Sequence, residues 1–421
     1  MQTEHNPLNR RKASTKALQS NSFTTKLAPI FTLSLLSAAI FTASTANASG
    51  LFLQEAVVAN AGTTGAGDGV YTQSAAAMWT NPATMSHMGE SLTTVNVTAF
   101  DLEMKYQHET GDPADNGKAH TVMPSLSVFH ARQLNEDVHL GLAFGTVGGS
   151  SLDYGHDWAG SNLMTDITLT ALQFNPALSF RVTDQVSWGL GAQFNWASLE
   201  MGMGSAQLEQ SSDWAYGFNA GVMYKHSDKL DLGVSFRSKV EHEFSTNLKT
   251  ASSSTHAVAS DLAVPAIVDV SASYAATSDL NLLASIQLHR WSEWDQTVFD
   301  FGYLPSNPAG LNSIDRQWDD VWKFAIGTDY RLNADWRLKA GFSYETSPQE
   351  DPTKQWVDLP VGEQYRYSLG ASTQWDGYTF DVFYEYADFG SVEIAERRDV
   401  GIGINGTFEG RIHFVGMNLT F

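Results

Sequence analysis

Phe324-Ala325-Ile326-Gly327-Thr328-Asp329-Tyr330-Arg331-Leu332-Asn333-Ala334-Asp335-Trp336-Arg337-Leu338-Lys339-Ala340-Gly341-Phe342-Ser343-Tyr344 is the stretch that decides the class of this protein. Phe324, Ile326, Thr328 and Tyr330 alternate with Ala325, Gly327 and Asp329; then Leu338, Ala340, Phe342 and Tyr344 alternate with Lys339, Gly341 and Ser343. Period two puts one set on each face of an extended strand, so the stretch predicts two strands joined by the short turn Asn333-Ala334-Asp335. The same alternation recurs in Val268, Val270, Ala272 and Tyr274, and in Tyr365, Tyr367, Leu369 and Ala371. A membrane barrel turns the apolar set to lipid and the polar, Gly-rich set inward; a soluble sandwich buries the apolar set, and periodicity does not separate the two.

Two features favour the membrane. Aromatics collect towards strand ends (Trp291 and Trp294; Trp318 and Trp322; Tyr378, Tyr384 and Tyr386), as interface girdles require. Turns alternate between short ones, such as Gln374-Trp375-Asp376-Gly377, and long polar ones at 107–119, 148–166, 200–213, 247–262, 300–318, 346–362 and 390–409. That is the rhythm of short periplasmic turns and longer outer loops. Fourteen strands are expected: 92–107, 119–132, 136–147, 166–182, 185–200, 212–226, 229–246, 264–277, 279–299, 320–332, 334–346, 362–374, 377–389 and 410–421. An even number lets the barrel close antiparallel and removes its edges. The last strand places Val415, Met417, Leu419 and Phe421 on one face. Such an ending resembles the recognition signal of the outer-membrane assembly machinery, which is therefore an expected partner.

Composition agrees with this class. Among 421 residues there are 12 Trp, 14 Tyr, 23 Phe and 34 Gly, with only 17% charged. The absence of Cys excludes disulfide scaffolds, thiolate zinc sites and cysteine nucleophiles. Lys and Arg number 25 against 46 Asp and Glu, a net charge of −21, which argues against nucleic acid as a partner. Arg10, Arg11, Lys12, Lys16 and Lys26 precede an uncharged apolar run from Leu27 to Ala43, followed by Ala46-Asn47-Ala48. This is the n-region, h-region and A-x-A site of a signal peptide over residues 1–48, cleaved after Ala48; a membrane anchor is the competing reading. Cleavage leaves 20 basic and 45 acidic residues, a net of −25. The protein is expected in the outer membrane of a Gram-negative bacterium.

Residues 49–90 behave differently: they are small and Gly/Ala-rich, without sustained alternation, yet they hold Leu51, Phe52, Leu53, Val57, Val58, Met78 and Trp79. That is too many apolar groups for a solvated tail, and a barrel of this size has a lumen to fill, so a compact plug is expected. The barrel then runs over 91–421. Gly62-x-x-Gly65-x-Gly67 leading into Trp79-Thr80-Asn81-Pro82-Ala83, the segment Trp214 to Phe244 with Phe236-Arg237-Ser238-Lys239-Val240, Leu262-Ala263-Val264-Pro265, Trp291-Ser292-Glu293-Trp294, and Trp322 to Pro348 together resemble the FadL-type family of outer-membrane transporters for long-chain fatty acids and other hydrophobic compounds. The resemblance covers the mature chain in order, while the loops diverge.

What the resemblance implies is an all-β fold: a 14-stranded antiparallel transmembrane barrel with an N-terminal hatch inside its lumen, carrying Asn81, Pro82 and Ala83 as the hatch motif. Cargo is captured at the outer loops and held near the hatch N-terminus, where Leu51, Phe52 and Leu53 are the expected ligand-binding residues. It leaves sideways beside a kinked third strand. Gly145, Gly148 and Gly149 fall at the end of the third strand and are the expected lateral opening, because clustered glycines weaken pairing and permit a bulge; the start of a loop is the other reading. The family's members imply a monomer.

No catalytic set is found, and no cofactor or metal is expected. Asp153-x-x-His156-Asp157 falls in an expected loop, and alternation sends His242 to the face opposite Glu241 and Glu243. The acidic loops carry Glu109, Asp112 and Asp115, Glu345, Glu350 and Asp351, and Glu393, Glu396 and Asp399. They read as solvated charge or as sites for divalent cations that bridge lipopolysaccharide phosphates, which with outer-membrane lipid is an expected neighbour. Fatty-acid cargo calls for a cation to meet its carboxylate, since burying it unpaired is costly. Trp188 to Glu200 has no Lys or Arg; Arg237, Lys239, Lys323 and Arg366 are the candidates, and neutral hydrocarbons or aromatics remain open as cargo. A hydrophilic porin and a non-transporting, adhesin-like barrel are the remaining alternatives.

Overall fold

The alternating segments pair into one antiparallel sheet that closes on itself. The structure, a computed structural model, describes residues 56–302, 311–360, 362–396 and 403–421; the expected signal segment 1–48 and Leu51, Phe52 and Leu53 lie outside them. Among the described residues the strands are β1 (Ser91–His108), β2 (Gly117–Asn135), β3 (Val138–Asp153), β4 (Asp166–Arg181), β5 (Val186–Met203), β6 (Ala206–Ser227), β7 (Leu230–Arg237), β8 (Val240–Lys249), β9 (Ser254–Val264), β10 (Ile267–Ala275), β11 (Leu280–His289), β12 (Gln296–Asp300), β13 (Leu311–Asp315), β14 (Val321–Arg331), β15 (Trp336–Glu345), β16 (Gln364–Trp375), β17 (Tyr378–Ile394) and β18 (Gly406–Thr420). Four staves are interrupted, so that β7 continues as β8, β9 as β10, β11 as β12 and β13 as β14. The wall therefore has 14 staves, closed where β1 pairs with β18 from Thr94↔Thr420 to His108↔Gly406. At one break stands Pro265, which has no N–H to give to a ladder.

Short turns such as 135–138, 181–186 and 375–378 gather at one end and most longer connections at the other, which is the outer end. Several expected loops are strand instead. β3 runs on to Asp153 where a loop was expected from 148, the 200–213 loop shrinks to a turn between Met203 and Ala206, and the 247–262 loop to one between Lys249 and Ser254. Polar side chains do not prevent this, because the ladder satisfies the backbone whatever the side chains are.

The alternation settles which face meets lipid. Ile326 is 61% exposed and Leu369 64%, whereas Ala325 and Asp329 are each 2% exposed. A soluble sandwich would bury the first pair; here the apolar set is outside, as a lipid solvent demands. The girdle expectation holds for Trp322, Tyr378 and Tyr384, which are exposed, and fails for Trp291, Trp294 and Trp318, which are buried together. A helical turn at Trp291–Glu293 breaks the strand alternation there and swings these rings against one another, 5.0 Å apart for Trp294 and Trp318.

On β1 the apolar phase changes face midway. Towards the short-turn end Val95, Val97 and Ala99 point out, while Thr94, Asn96 and Thr98 point in and are buried. Beyond that level Asp101, Glu103 and Lys105 point out, while Phe100, Leu102, Met104 and Tyr106 point in. β18 does the same, with Asn418 and Thr420 inside at the lower level and Phe408, Ile412 and Phe414 inside at the upper.

Candidate functional site

Residues 56–90 run against the inward face of the lower half of the wall. They form helical turns at Asp68–Val70, Ala77–Thr80 and Pro82–His87, and most are buried. Wall side chains meet this backbone from many staves. Ser127 Oγ donates to the Ala56 carbonyl (2.8 Å) and Asn96 Nδ2 to that of Val58 (3.1 Å); Gly67 N donates to Ser285 Oγ (2.9 Å), and Ser187 Oγ to the Ala83 carbonyl (2.9 Å). The short polar residues read as lumen-facing are thus the partners of a chain too tightly turned to satisfy itself. Inward glycines allow close approach: a Cβ on Gly341 would collide with the Thr63 backbone, and one on Gly370 with Ala61 and Gly62.

Asn81, Pro82 and Ala83 have defined local roles. The Asn81 side chain accepts from Ala83 N (3.0 Å), capping the turn with Pro82 in its first position, and donates to the carbonyls of Gly69 (2.8 Å) and Val222 (3.1 Å). Asp68 accepts from Ala59 N (2.9 Å) and Asn60 N (3.1 Å), tying down the start of the segment; burial nevertheless pushes its carboxyl up to about 6.

Between this segment and the wall a narrow cavity is lined by Val57, Val58, Trp79, Ile267 and Arg237, with the carboxylates Asp68, Asp269 and Glu385 on its border. Arg237 ends β7 at the break in its stave and is 7% exposed. Its Nη1 donates to Gln193 Oε1 (2.6 Å), its Nη2 to the Trp79 carbonyl (2.5 Å), and its guanidinium lies 4.6 Å from the Trp79 ring. These are neutral acceptors, and among the described residues Arg237 makes no ion pair. The other candidates differ. Lys239 pairs with Glu241 on the surface, Lys323 with Glu345, and Arg366 with Glu345 and Glu385. Lys339 pairs with Asp381 (2.7 Å) and Arg337 with Asp329 (2.7 Å), so the lower interior is a lattice of buried pairs.

The upper interior is apolar. Phe100, Leu102, Phe389 and Ile412 line a second cavity with Gly149 and Leu152, and the loop residues Trp158, Met164 and Val357 pack into the same cluster. Asp358 also borders this cavity, and it is held by Arg316 Nη2 at 2.7 Å. Gly149 places the cavity beside an irregular part of the wall. The β2–β3 ladder ends at Val128↔Phe144; beyond it β2 pairs with β1 and β3 with β4, whose register shifts between Thr146 and Gly148. Gly145 stands at the first position past the ladder, where a Cβ would strike the Ser127 side chain.

His242 donates to or accepts from Asp213 (3.1 Å) and Asn195 (3.0 Å), with Glu241 and Glu243 exposed on the other face. Sequence reasoning missed Arg316, Asp358 and the apolar upper wall. The signal for the wall was present in the phase change after Ala99.

The family described as "Outer membrane protein transport protein (OMPP1/FadL/TodX)" matches residues 39–421 of this chain. Outer membrane protein P1 of Haemophilus influenzae is 21% identical over 93% of this chain and 99% of its own length. The long-chain fatty acid transport protein of Escherichia coli is 20% identical over 87% of this chain and 94% of its own. Among solved structures, a Pseudomonas aeruginosa FadL homologue superposes with a TM-score of 0.77 at 20% identity, covering 89% of this chain and 99% of that one. The Pseudomonas putida toluene transporter TodX gives 0.66 at 15% identity, covering 86% and 98%. The family consists of transport channels, not enzymes. With a closed 14-stave barrel, an apolar outer face and a match spanning nearly the whole chain, this protein belongs to the OMPP1/FadL/TodX family of outer-membrane transport proteins.

Proposed function

We propose that this protein takes up long-chain fatty acids or related hydrophobic molecules, passing them from the apolar upper interior to the cavity at Arg237 and out through the wall between β2 and β3. Arg237 carries the reading. A guanidinium buried against neutral acceptors is a partner for an anion, and Val57, Val58 and Trp79 beside it suit an apolar chain. Residues 56–90 act as the hatch, with Leu51, Phe52 and Leu53 completing the pocket from the segment that precedes Ala56. The lateral exit is supported by the ladder that stops at Phe144 and by Gly149 lining the upper cavity. An apolar solute gains nothing from a watery pore, so a route into the bilayer suits it.

The test is binding of oleate to the purified protein. Arg237→Gln is expected to weaken it by about tenfold or more, in keeping with the loss of a charge-assisted bond. Deletion of residues 51–53 is expected to weaken it as well, and unchanged oleate affinity in both variants sinks the pocket assignment. The exit has its own test. The chain has no Cys, so Ser127→Cys with Gly145→Cys gives the sole possible disulfide, one position past the end of the ladder. Uptake should stop on oxidation and return on reduction.

Neutral hydrocarbons or aromatics are the second reading. The upper cavity favours it, because its charged wall residue is the carboxylate Asp358, already held by Arg316. A deletion strain separates the two. A growth defect confined to long-chain fatty acids supports the first, and a defect confined to alkanes or aromatics supports the second.

A further inference from the structure

The charges that begin at Asp101 lie outside the wall and form a patch across β1, β2, β17 and β18. Lys105 Nζ (2.9 Å), Lys118 Nζ (2.7 Å) and Arg411 Nη2 (2.7 Å) all bond the Glu103 carboxylate. The three cations share the one carboxylate of Glu103, with Asp388 and Glu409 the only other carboxylates among the described residues of the groove beside them, and the cations remain 41%, 58% and 49% exposed, free to turn to a phosphate. Around them Glu409 faces Lys105 in register, Asp388 faces Arg411, and His120 bonds Asp101 (2.7 Å). A register shift between Asp388 and Ser391 opens a groove here, lined by Lys105, Arg411, Tyr386 and Gly410 together with the carboxylates Glu103, Asp388 and Glu409. Directly below, the same face of the wall carries a shallow apolar groove with Val97, Val382, Tyr384, Val415 and Met417.

The level of this patch follows from the strand. About nine to eleven tilted residues cross the hydrocarbon layer, and β1 starts at Ser91, so the hydrocarbon ends near Asp101. Lys105, Lys118 and Arg411 therefore sit at headgroup depth in the outer leaflet, with the apolar groove at acyl-chain depth beneath them. Clustered Lys and Arg at such a level bind anionic headgroups. We infer that Lys105, Lys118 and Arg411 form a binding site for the phosphates of a lipid A-type glycolipid whose acyl chains lie along Val97, Val415 and Met417. The site is on the outer surface of the barrel and independent of the cargo route.

The experiment measures binding of diphosphoryl and monophosphoryl lipid A to the purified full-length protein, freed of native lipid in a neutral detergent. The triple variant Lys105→Gln, Lys118→Gln, Arg411→Gln should bind diphosphoryl lipid A at least about tenfold more weakly, and monophosphoryl lipid A should bind the native protein less well. Glu103→Gln is the second variant. Its carboxylate competes with phosphate for the same three cations, so its removal should tighten binding, whereas a merely structural Glu103 would weaken it or leave it unchanged. Heat-modifiable migration on gels checks that each variant is folded. Affinity of the triple variant within about twofold of the native protein overturns the site, given that each exposed cation is worth about tenfold at most. So does binding that a chelator abolishes equally in both proteins, which would place the phosphates on divalent ions held by Asp388 and Glu409.

Discussion

The two halves of the barrel interior are built from the same strands by opposite rules. In the lower half, wall residues such as Ser127, Ser187, Ser285 and Asn96 bond the backbone of residues 56–90, and Lys339, Asp381, Arg337 and Asp329 form ion pairs. In the upper half, Phe100, Leu102, Met104, Phe408 and Ile412 form an apolar lining with the loops. Outside, the order reverses, from Val97 and Ala99 below to Glu103 and Lys105 above. The difference teaches that one period-two pattern serves two solvents. The face that needs apolar residues switches where the outer surface leaves the hydrocarbon and the interior leaves the packed N-terminal segment.

The sharpest way to break the lower half is to strand one of its charges. Lys339→Ala leaves Asp381 buried and unpaired, and should cost about 3–5 kcal/mol of stability, while Lys339→Met with Asp381→Leu should cost far less. Unfolding in urea with refolding controls, in lipid vesicles, reads both. The next effect depends on pH. Asp68 has its folded pKa raised to about 6 from an ordinary 3.8, so its contribution to stability is fully present below about 3.8 and lost as pH rises through 6. Asp68→Asn should remove a loss of about 2.5 kcal/mol between pH 4 and pH 8, at ~1.4 kcal/mol per pKa unit. Parallel curves for the two proteins would refute this.

In the upper half, Leu102→Ala should cost about 2–3 kcal/mol, at the low end for a buried leucine because it borders an existing cavity. Its uptake should fall less than its stability, since the enlarged cavity stays apolar. Asn81→Ala returns to the lower half with the smallest effect. Loss of the cap on Ala83 and of two side-chain bonds should cost about 1–2 kcal/mol. Faster hydrogen exchange confined to residues 68–87, with the strands unchanged, is the expected signature.

Much of the barrel could be read from local pattern. The Phe324–Tyr344 alternation names its strands and its turn because side-chain direction in a strand depends only on parity. All 14 expected staves are present, although some upper ends were set short, at residues 147 and 200, by polar sequence that the ladder tolerates. Trp291, Trp294 and Trp318 were misplaced because a single helical turn resets parity. In the candidate site, the cluster Gly145, Gly148 and Gly149 drew attention to β3, but nothing in those residues says that β2 stops pairing at Val128. Arg237 stood among four candidates; its neutral hydrogen-bond acceptors, Gln193 and Trp79, lie 44 and 158 residues away in the chain.

The sequence by itself determined the strands, their number, the exported character and the apolar, aromatic faces, because each of these rests on a run of neighbours or on a total. Only the tertiary structure decided that the apolar set faces outward, where it changes face, which cations are paired and where the wall loses a ladder. Those depend on how staves meet. β1 meets β18 only when the sheet has curled through all 14 staves, and Lys339 meets Asp381 only when β15, β16 and β17 lie side by side. A stretch of chain encodes its own alternation and its hairpin partner but not the segments that face it across the lumen, and for that reason the chemistry of the lumen emerges only in the assembled barrel.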